Sequence, residues 1–309
     1  MAGHDLDGDP RGDLEYDVVD VFADGPFAGN QLAVVHGADD LSSEALLAIA
    51  REFNFSETTF PVSVGSTAGP RGDRYRVRIF TPGGEIPFAG HPTLGTAWVL
   101  RERGLLRGEE VVQVCAAGDI AVRFDLPGVE LGAVPHDLAG PLPADLTHEL
   151  LADLGLRPDD VAGEGWLAGT GLTFVHLPVS DDAVVRAHPS VRPLAEYAGR
   201  LPDCADPVDG INLHSVGAGA PLTVHARVFV PGLDVAEDPA TGSAAAGLGM
   251  VLVARGRLPQ GGGYLVRQGL EMGRPSRLRG RVEAVDGRAT RCFVSGQVHP
   301  VARGRIRRP

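Results

Sequence analysis

The stretch Glu237-Asp238-Pro239-Ala240-Thr241-Gly242-Ser243-Ala244-Ala245-Ala246-Gly247, running on into the apolar Leu248, Met250, Val251, Leu252 and Val253, decides how this chain folds. An aspartate followed by proline suits a helix start, because the carboxylate can cap and the missing proline N–H has no intrahelical partner in the first turn. The spacing therefore predicts a helix opening at Asp238 and Pro239. The residues behind them are too small to cover the backbone, so the N–H groups of Ala240 to Ser243 can face a cavity where the positive helix end favours an anion. Taken alone, the plainer reading of a capped helix packed closely through Ala and Gly stands ahead of a binding site.

The stretch occurs twice. Arg78-Ile79-Phe80-Thr81-Pro82-Gly83 matches Arg227-Val228-Phe229-Val230-Pro231-Gly232, and Ala89-Gly90-His91-Pro92-Thr93-Leu94-Gly95-Thr96-Ala97 matches Ala236 to Ala244. The offset is 149 in the first block (227 − 78) and 147 in the second (236 − 89), and both copies read as strand, turn and helix. A period near half the chain length predicts two duplicated halves rather than a solenoid. His91 and Asp238 become structural twins in this alignment.

A chain of 309 residues exceeds the usual size of one core, which also favours two units. Net charge is −12, with no basic stripe interleaved with aromatics, so nucleic acid and anionic membrane are excluded as expected partners in favour of a small molecule. All 28 basic residues are Arg. Without lysine there is no Schiff-base chemistry and no Walker A loop. Cys115, Cys204 and Cys292 are widely spaced and odd in number, so they form neither a disulfide framework nor a zinc site. No signal peptide or apolar run of membrane-spanning length is legible, and a cytoplasmic protein is expected.

Along the chain, residues 1–14 read as a disordered tail, 15–130 as the N-terminal domain and 131–309 as the C-terminal domain, whose last strands can return to the first. Strands are expected at Asp17 to Phe22, Gln31 to Val35, Thr58 to Val64 and Tyr75 to Phe80, with a helix capped by Ser42 or Ser43 between the second and third. A helix from Pro92 stops at Gly104, and strands near Val111 to Cys115 and Ile120 to Phe124 complete the half. Residues 127–143, rich in Pro and Gly, read as a connection. The second half carries a helix at His148 to Leu154, strands at Leu172 to Leu177 and Thr223 to Val230, and three closing strands from Tyr264 to Ser295. The terminal arginines from Arg303 read as a solvated tail.

Two related helices can aim their N-termini at one cleft and clamp a single small carboxylate. Imidazole caps poorly, so His91 leans towards function, although a His before Pro often only donates to a neighbouring carbonyl. Glu57 stands among Phe53, Phe55 and Phe60; burial there would raise its pKa and make it a usable proton donor and acceptor near neutral pH. A solvated glutamate at a strand start is the competing reading. Glu57 has no twin in the second half. No paired histidine spacing suggests a metal.

Gly29-Asn30, the block ending Ala50-Arg51-Glu52-Phe53-Asn54-Phe55-Ser56-Glu57-Thr58-Thr59-Phe60, Pro87-Phe88-Ala89-Gly90-His91-Pro92, Glu237-Asp238-Pro239-Ala240-Thr241-Gly242-Ser243 and Met272-Gly273-Arg274-Pro275-Ser276 together resemble the PhzF-type phenazine-biosynthesis family over nearly the whole chain. The resemblance implies an α+β, diaminopimelate epimerase-like fold: two pseudo-symmetric domains, each an antiparallel sheet wrapped as a barrel around a central helix, with the site between them. It implies isomerisation of trans-2,3-dihydro-3-hydroxyanthranilate without cofactor or metal, by a homodimer. Glu57 falls on the family's acid/base, and His91, Asp238, Ser243, Gly90 and Gly242 fall on its substrate-binding positions. Epimerases of the same fold use a cysteine at each helix end, and neither His91 nor Asp238 has a thiol beside it. Gln31 stands where the family usually has Pro. An isomerase or epimerase of another small cyclic or amino-acid metabolite is the first alternative, and a non-catalytic small-molecule-binding protein the second.

Overall fold

The computed structural model describes residues 12–69, 72–125, 128–204, 207–231 and 236–309. The expected tail therefore lies, up to residue 11, outside the described residues, and Leu14 already belongs to the first strand. In chain order the first half holds β1 (Leu14–Val21), β2 (Asn30–Val35), α1 (Ser43–Phe53), β3 (Glu57–Gly69), β4 (Gly72–Thr81), β5 (Gly84–Ile86), α2 (Gly90–Glu102), β6 (Glu110–Cys115), β7 (Gly118–Asp125) and β8 (Gly128–Ala133). Then come β9 (Asp137–Ala139), α3 (Ala144–Asp153), β10 (Trp166–Gly169), β11 (Thr173–Pro178), α4 (Asp181–Arg186), β12 (Val208–Val216), β13 (Leu222–Phe229), β14 (Glu237–Asp238), α5 (Gly242–Ala254), β15 (Gly261–Gln268), β16 (Ser276–Val285), β17 (Arg288–Gly296) and β18 (Val298–Ile306).

Strand pairing repeats. In the first half β1, β2, β3, β4, β6, β7 and β8 are successive neighbours, antiparallel except for the parallel pairs β2/β3 and β4/β6. In the second, β10, β11, β12, β13, β15, β16 and β17 follow the same scheme, with β11/β12 and β13/β15 parallel. Next to each end the chain changes sides: β9 leaves β8 to pair with β10, while β18 leaves β17 to pair with β1. A seam joins the halves where β8 runs antiparallel to β17, Leu131 opposite Val294.

Each barrel encloses a helix with almost no wet face. Along α2, His91 to Ala97, Val99 and Leu100 are buried, and along α5 Ala244 to Val253 are buried throughout. A helix apolar all round belongs at the centre of a core. Leu94, Val99, Leu131, Ala245, Leu248 and Val294 belong to a single hydrophobic cluster that crosses the seam. By contrast α1 is amphipathic: Ser42 caps it by accepting the Ala45 N–H, and Leu46, Ile49 and Ala50 face inward, as its spacing predicts.

Four readings of the sequence need correction. Asp238 does not open a helix: Glu237 and Asp238 pair as β14 with Phe229 and Val228, and α5 begins at Gly242 with Thr241 as its N-cap. The repeat also has another register after the strand. Arg78 matches Arg227 at an offset of 149, but Glu85 matches Glu237 and Gly90 matches Gly242, both at 152, so three extra residues lie in the second hairpin. His91 is thus the twin of Ser243, not of Asp238, whose counterpart is Ile86. Finally, residues 127–143 contain β8 and β9, and the terminal arginines lie on and beside β18, where Arg303 bonds Asp17 at 2.8 Å and Arg308 bonds Asp40. Alternating Arg hides strand periodicity, because the long polar chains lie on the outer face while the backbone pairs.

Candidate active site

At the junction a cavity of about 280 Å³ opens between the halves, lined by Ser56, Glu57, Thr81, Pro82 and Ile86 from one and Leu172, Phe174, Asp209, Val230 and Asp238 from the other. Its wall is apolar on the Ile86, Leu172, Phe174 and Val230 side and carries three carboxylates. Glu57 reaches it from the first residue of β3, which lies beside Leu32 of β2. The equivalent register position in the second half is Gly210, beside Phe174, where an added Cβ would stand 2.7 Å from the Phe229 carbonyl oxygen. Only the first half can hold a side chain there.

Glu57 keeps 15% of its side chain exposed, yet its Oε2 is buried with no hydrogen-bond partner among the described residues. That oxygen faces His91 Nε2, likewise unpartnered, at 3.5 Å. Desolvation pushes the Glu57 carboxyl up to about 7, against an opposing hydrogen bond from Ser56. Burial pushes His91 down to about 4, against the attraction of Asp238, so at neutral pH the imidazole is uncharged and its approach to Glu57 is no ion pair. Asp238 is raised, first by desolvation, with His91 opposing and Glu57 adding to the rise.

A polar frame surrounds these groups. Asn30 Nδ2 donates to Asp238 Oδ1 at 2.8 Å and lies 3.3 Å from His91 Nδ1, while Thr241 Oγ1 donates to the other Asp238 oxygen. Gln268 Nε2 donates to the Asp238 carbonyl at 2.7 Å, and its Oε1 accepts the Thr241 N–H at 3.2 Å. The two central helices meet at their starts: a Cβ on Gly90 would come within 3.8 Å of Gly242 Cα and 3.9 Å of Ser243 N. The structure therefore brings Glu57, His91 and Asp238 into one cluster and Gly90, Gly242 and Ser243 into the adjoining helix contact, off the cavity wall. Ser243 turns its carbonyl to Thr170 Oγ1 at 3.3 Å.

Arg274 is the part sequence reasoning left without a role. From the loop after β15 it crosses to the first half, donating to Asp20 and to the carbonyls of Gly29 and Ala28. Gly29 has φ +71°, and a Cβ there would fall 2.4 Å from the Val21 carbonyl oxygen, so this tight turn requires glycine. The turn delivers Asn30. Asn30 stands in a motif named above and Gln268 just ahead of one, but neither helical periodicity nor charge marks them as site residues.

Fold and junction together define a class, an isomerase built on the diaminopimelate epimerase-like fold. A family model described as phenazine biosynthesis-like protein matches residues 19–304, and the chain belongs to that family. The trans-2,3-dihydro-3-hydroxyanthranilate isomerase of Pseudomonas aeruginosa is 37% identical over 294 residues, 94% of this chain and 98% of that protein. The enzyme of the same name from Pseudomonas chlororaphis is 36% identical with the same coverage. Among solved structures, a PhzF-family protein of Bacillus anthracis superposes with a TM-score of 0.82 at 23% identity, covering 95% of this chain and 98% of that one. A hydroxyproline epimerase of Agrobacterium vitis shares the fold at a TM-score of 0.62 and 13% identity, covering 95% and 92%. Among the described residues no helix is long and apolar enough to cross a membrane.

Proposed function

We propose that this isomerase acts on trans-2,3-dihydro-3-hydroxyanthranilate, with Glu57 carrying the proton. The observation behind the reading is the one-sided carboxylate: Glu57 lines the cavity with a pKa near 7, so at neutral pH it populates both the base and the acid form. Glu57 removes the proton from the hydroxyl-bearing ring carbon C3 and returns it at another ring carbon, giving an enol that becomes a ketone. One carboxylate serves both steps, because removal and delivery on one face need only a short swing. The apolar wall takes the ring. His91 and Asp238 hold the amino and hydroxyl groups, and Ser243, with the backbone of Gly90 and Gly242, places the paired helix ends beside the cavity, where their positive ends favour the carboxylate. A homodimer working in the cytoplasm accords with this reading.

The test is to follow trans-2,3-dihydro-3-hydroxyanthranilate with the purified protein by NMR in D₂O. Loss of the C3 proton signal with appearance of the ketone is expected. No conversion, alongside solvent exchange in another small cyclic or amino-acid carboxylate, redirects the substrate; no exchange in any of a panel of such compounds favours a binding protein.

A further inference from the structure

A second cavity, of about 550 Å³, lies in the second half and shares no lining residue with the one that holds Glu57. Arg255, where α5 ends, Arg257 in the turn after it and Arg267 of β15 line it, together with the hydroxyl-bearing Thr223 of β13. Among the described residues the side chains of these three arginines have neither a hydrogen bond nor an ion pair, whereas Arg186, Arg192, Arg200 and Arg227 of the same half are each bonded to a carboxylate. Arg255 is half-buried, and a Cβ on Gly163 would stand 2.0 Å from its Nη2, so the guanidinium lies against the backbone of a neighbouring loop. We propose that this cavity binds a small molecule through a phosphate group held by Arg255, Arg257 and Arg267.

Charge is out of balance around this cavity. Three guanidiniums share its wall with one carboxylate, that of Asp181 in α4, whose Oδ1 is already met by Ser215 Oγ at 2.8 Å and His225 Nδ1 at 3.1 Å. The other ring nitrogen of His225 lies 2.9 Å from Glu271, so that acid is engaged as well. Burial disfavours the charge on Arg255, Glu164 opposes this from beyond ion-pair distance, and Arg257 adds to it by repulsion. A chain with 40 acidic residues against 28 basic ones thus leaves like charges facing one opening without a carboxylate in contact. An oxyanion between them relieves the repulsion. Guanidinium forks bind carboxylate and phosphate alike, but a tetrahedral phosphate accepts from several directions at once, and here the donors come from three points of the chain with the Thr223 hydroxyl beside them. The volume leaves room for an organic part beyond the phosphate.

Isothermal titration calorimetry of the whole protein with pyrophosphate, at constant ionic strength, tests this. One saturable site is expected, with affinity about tenfold lower in Arg255→Gln and in Arg257→Gln, and unchanged in Arg288→Gln, which removes an exposed arginine outside the cavity. Succinate, a dicarboxylate, is expected to bind about tenfold more weakly than pyrophosphate or not at all. Absence of saturable binding, equal affinity for succinate, or an Arg257→Gln protein that binds pyrophosphate as well as Arg288→Gln does overturns the proposal. Arg257 is exposed, so its variant decides even where Arg255→Gln fails to fold. The titration needs no isomerisation substrate and leaves Glu57 in place, so its outcome stays separate from that of the isomerisation assay.

Discussion

Glu57 is held in a protonation state that costs the fold something. Its pKa rises from 4.5 to about 7, so the stability it contributes is complete below 4.5 and is lost as pH rises through 7. Glu57→Gln keeps the shape without the buried charge. At pH 8 the variant should therefore be more stable by on the order of 2–3 kcal/mol, an advantage that vanishes near pH 4.5. Urea unfolding at the two pH values measures it, and equal stabilities at pH 8 would count against a desolvated carboxylate. Glu57 was legible because aromatic neighbours and a carboxylate at a strand start stand next to each other in the sequence. Asn30 was not: its four contacts come from elements up to 210 positions away.

Between the strand and the helix of each half stands the same ion pair in two different settings. Arg78 bonds Glu85 with side chains 26% and 40% exposed, whereas Arg227 bonds Glu237 with 7% and 10%. Arg227 also donates to the carbonyls of Val184 and Ala187 at the end of α4. Removing one member of a buried pair leaves the other charge uncompensated, while an exposed pair is screened by water. Arg227→Ala should cost about 3–5 kcal/mol and loosen β14 and with it Asp238. Arg78→Ala should cost about 1 kcal/mol or less. Denaturant midpoints compare them, and equal losses would contradict the distinction drawn from burial. This pair also shows how the repeat was misread: identical Pro and Gly letters favoured an offset of 147, but it is Arg–Glu pairing across a hairpin, invisible to letter matching, that fixes 152. Small residues after Pro239 gave the helix; its start moved because Asp238 found a strand partner.

Across the molecule the two barrels carry different titrating groups. His176 and His214 are buried in β11 and β12, His214 pushed down to about 4 and His176 well below its ordinary value, both mainly by desolvation. Neutral in the fold, they must charge in acid, so the stability they confer is present above 6.5 and lost as pH falls towards 4. In the first barrel Glu57 and Asp20, both raised, gain protons over the acid range and offset the burial of His36 and His91, whereas on the side of His176 and His214 the raised Asp238 offers a smaller offset. Hydrogen exchange at pH 4.5 against pH 7 should therefore show protection lost from β11 and β12 before β2 and β3; the reverse order would contradict it. Duplication and central helices could be read from the chain, because apolar Ala- and Gly-rich runs of that length have few other places to go. The passage of β9 to β10 could not, since three residues within a Pro- and Gly-rich stretch leave no periodicity to read. What duplication leaves open is which half holds a side chain at this position, and Gly210 as the equivalent of Glu57 leaves it to the first. The most direct test is Glu57→Gln against wild type, comparing turnover of trans-2,3-dihydro-3-hydroxyanthranilate and solvent-deuterium incorporation. Loss of both by about 10²–10⁴-fold in a folded protein is predicted; wild-type turnover and incorporation in the variant would contradict the account.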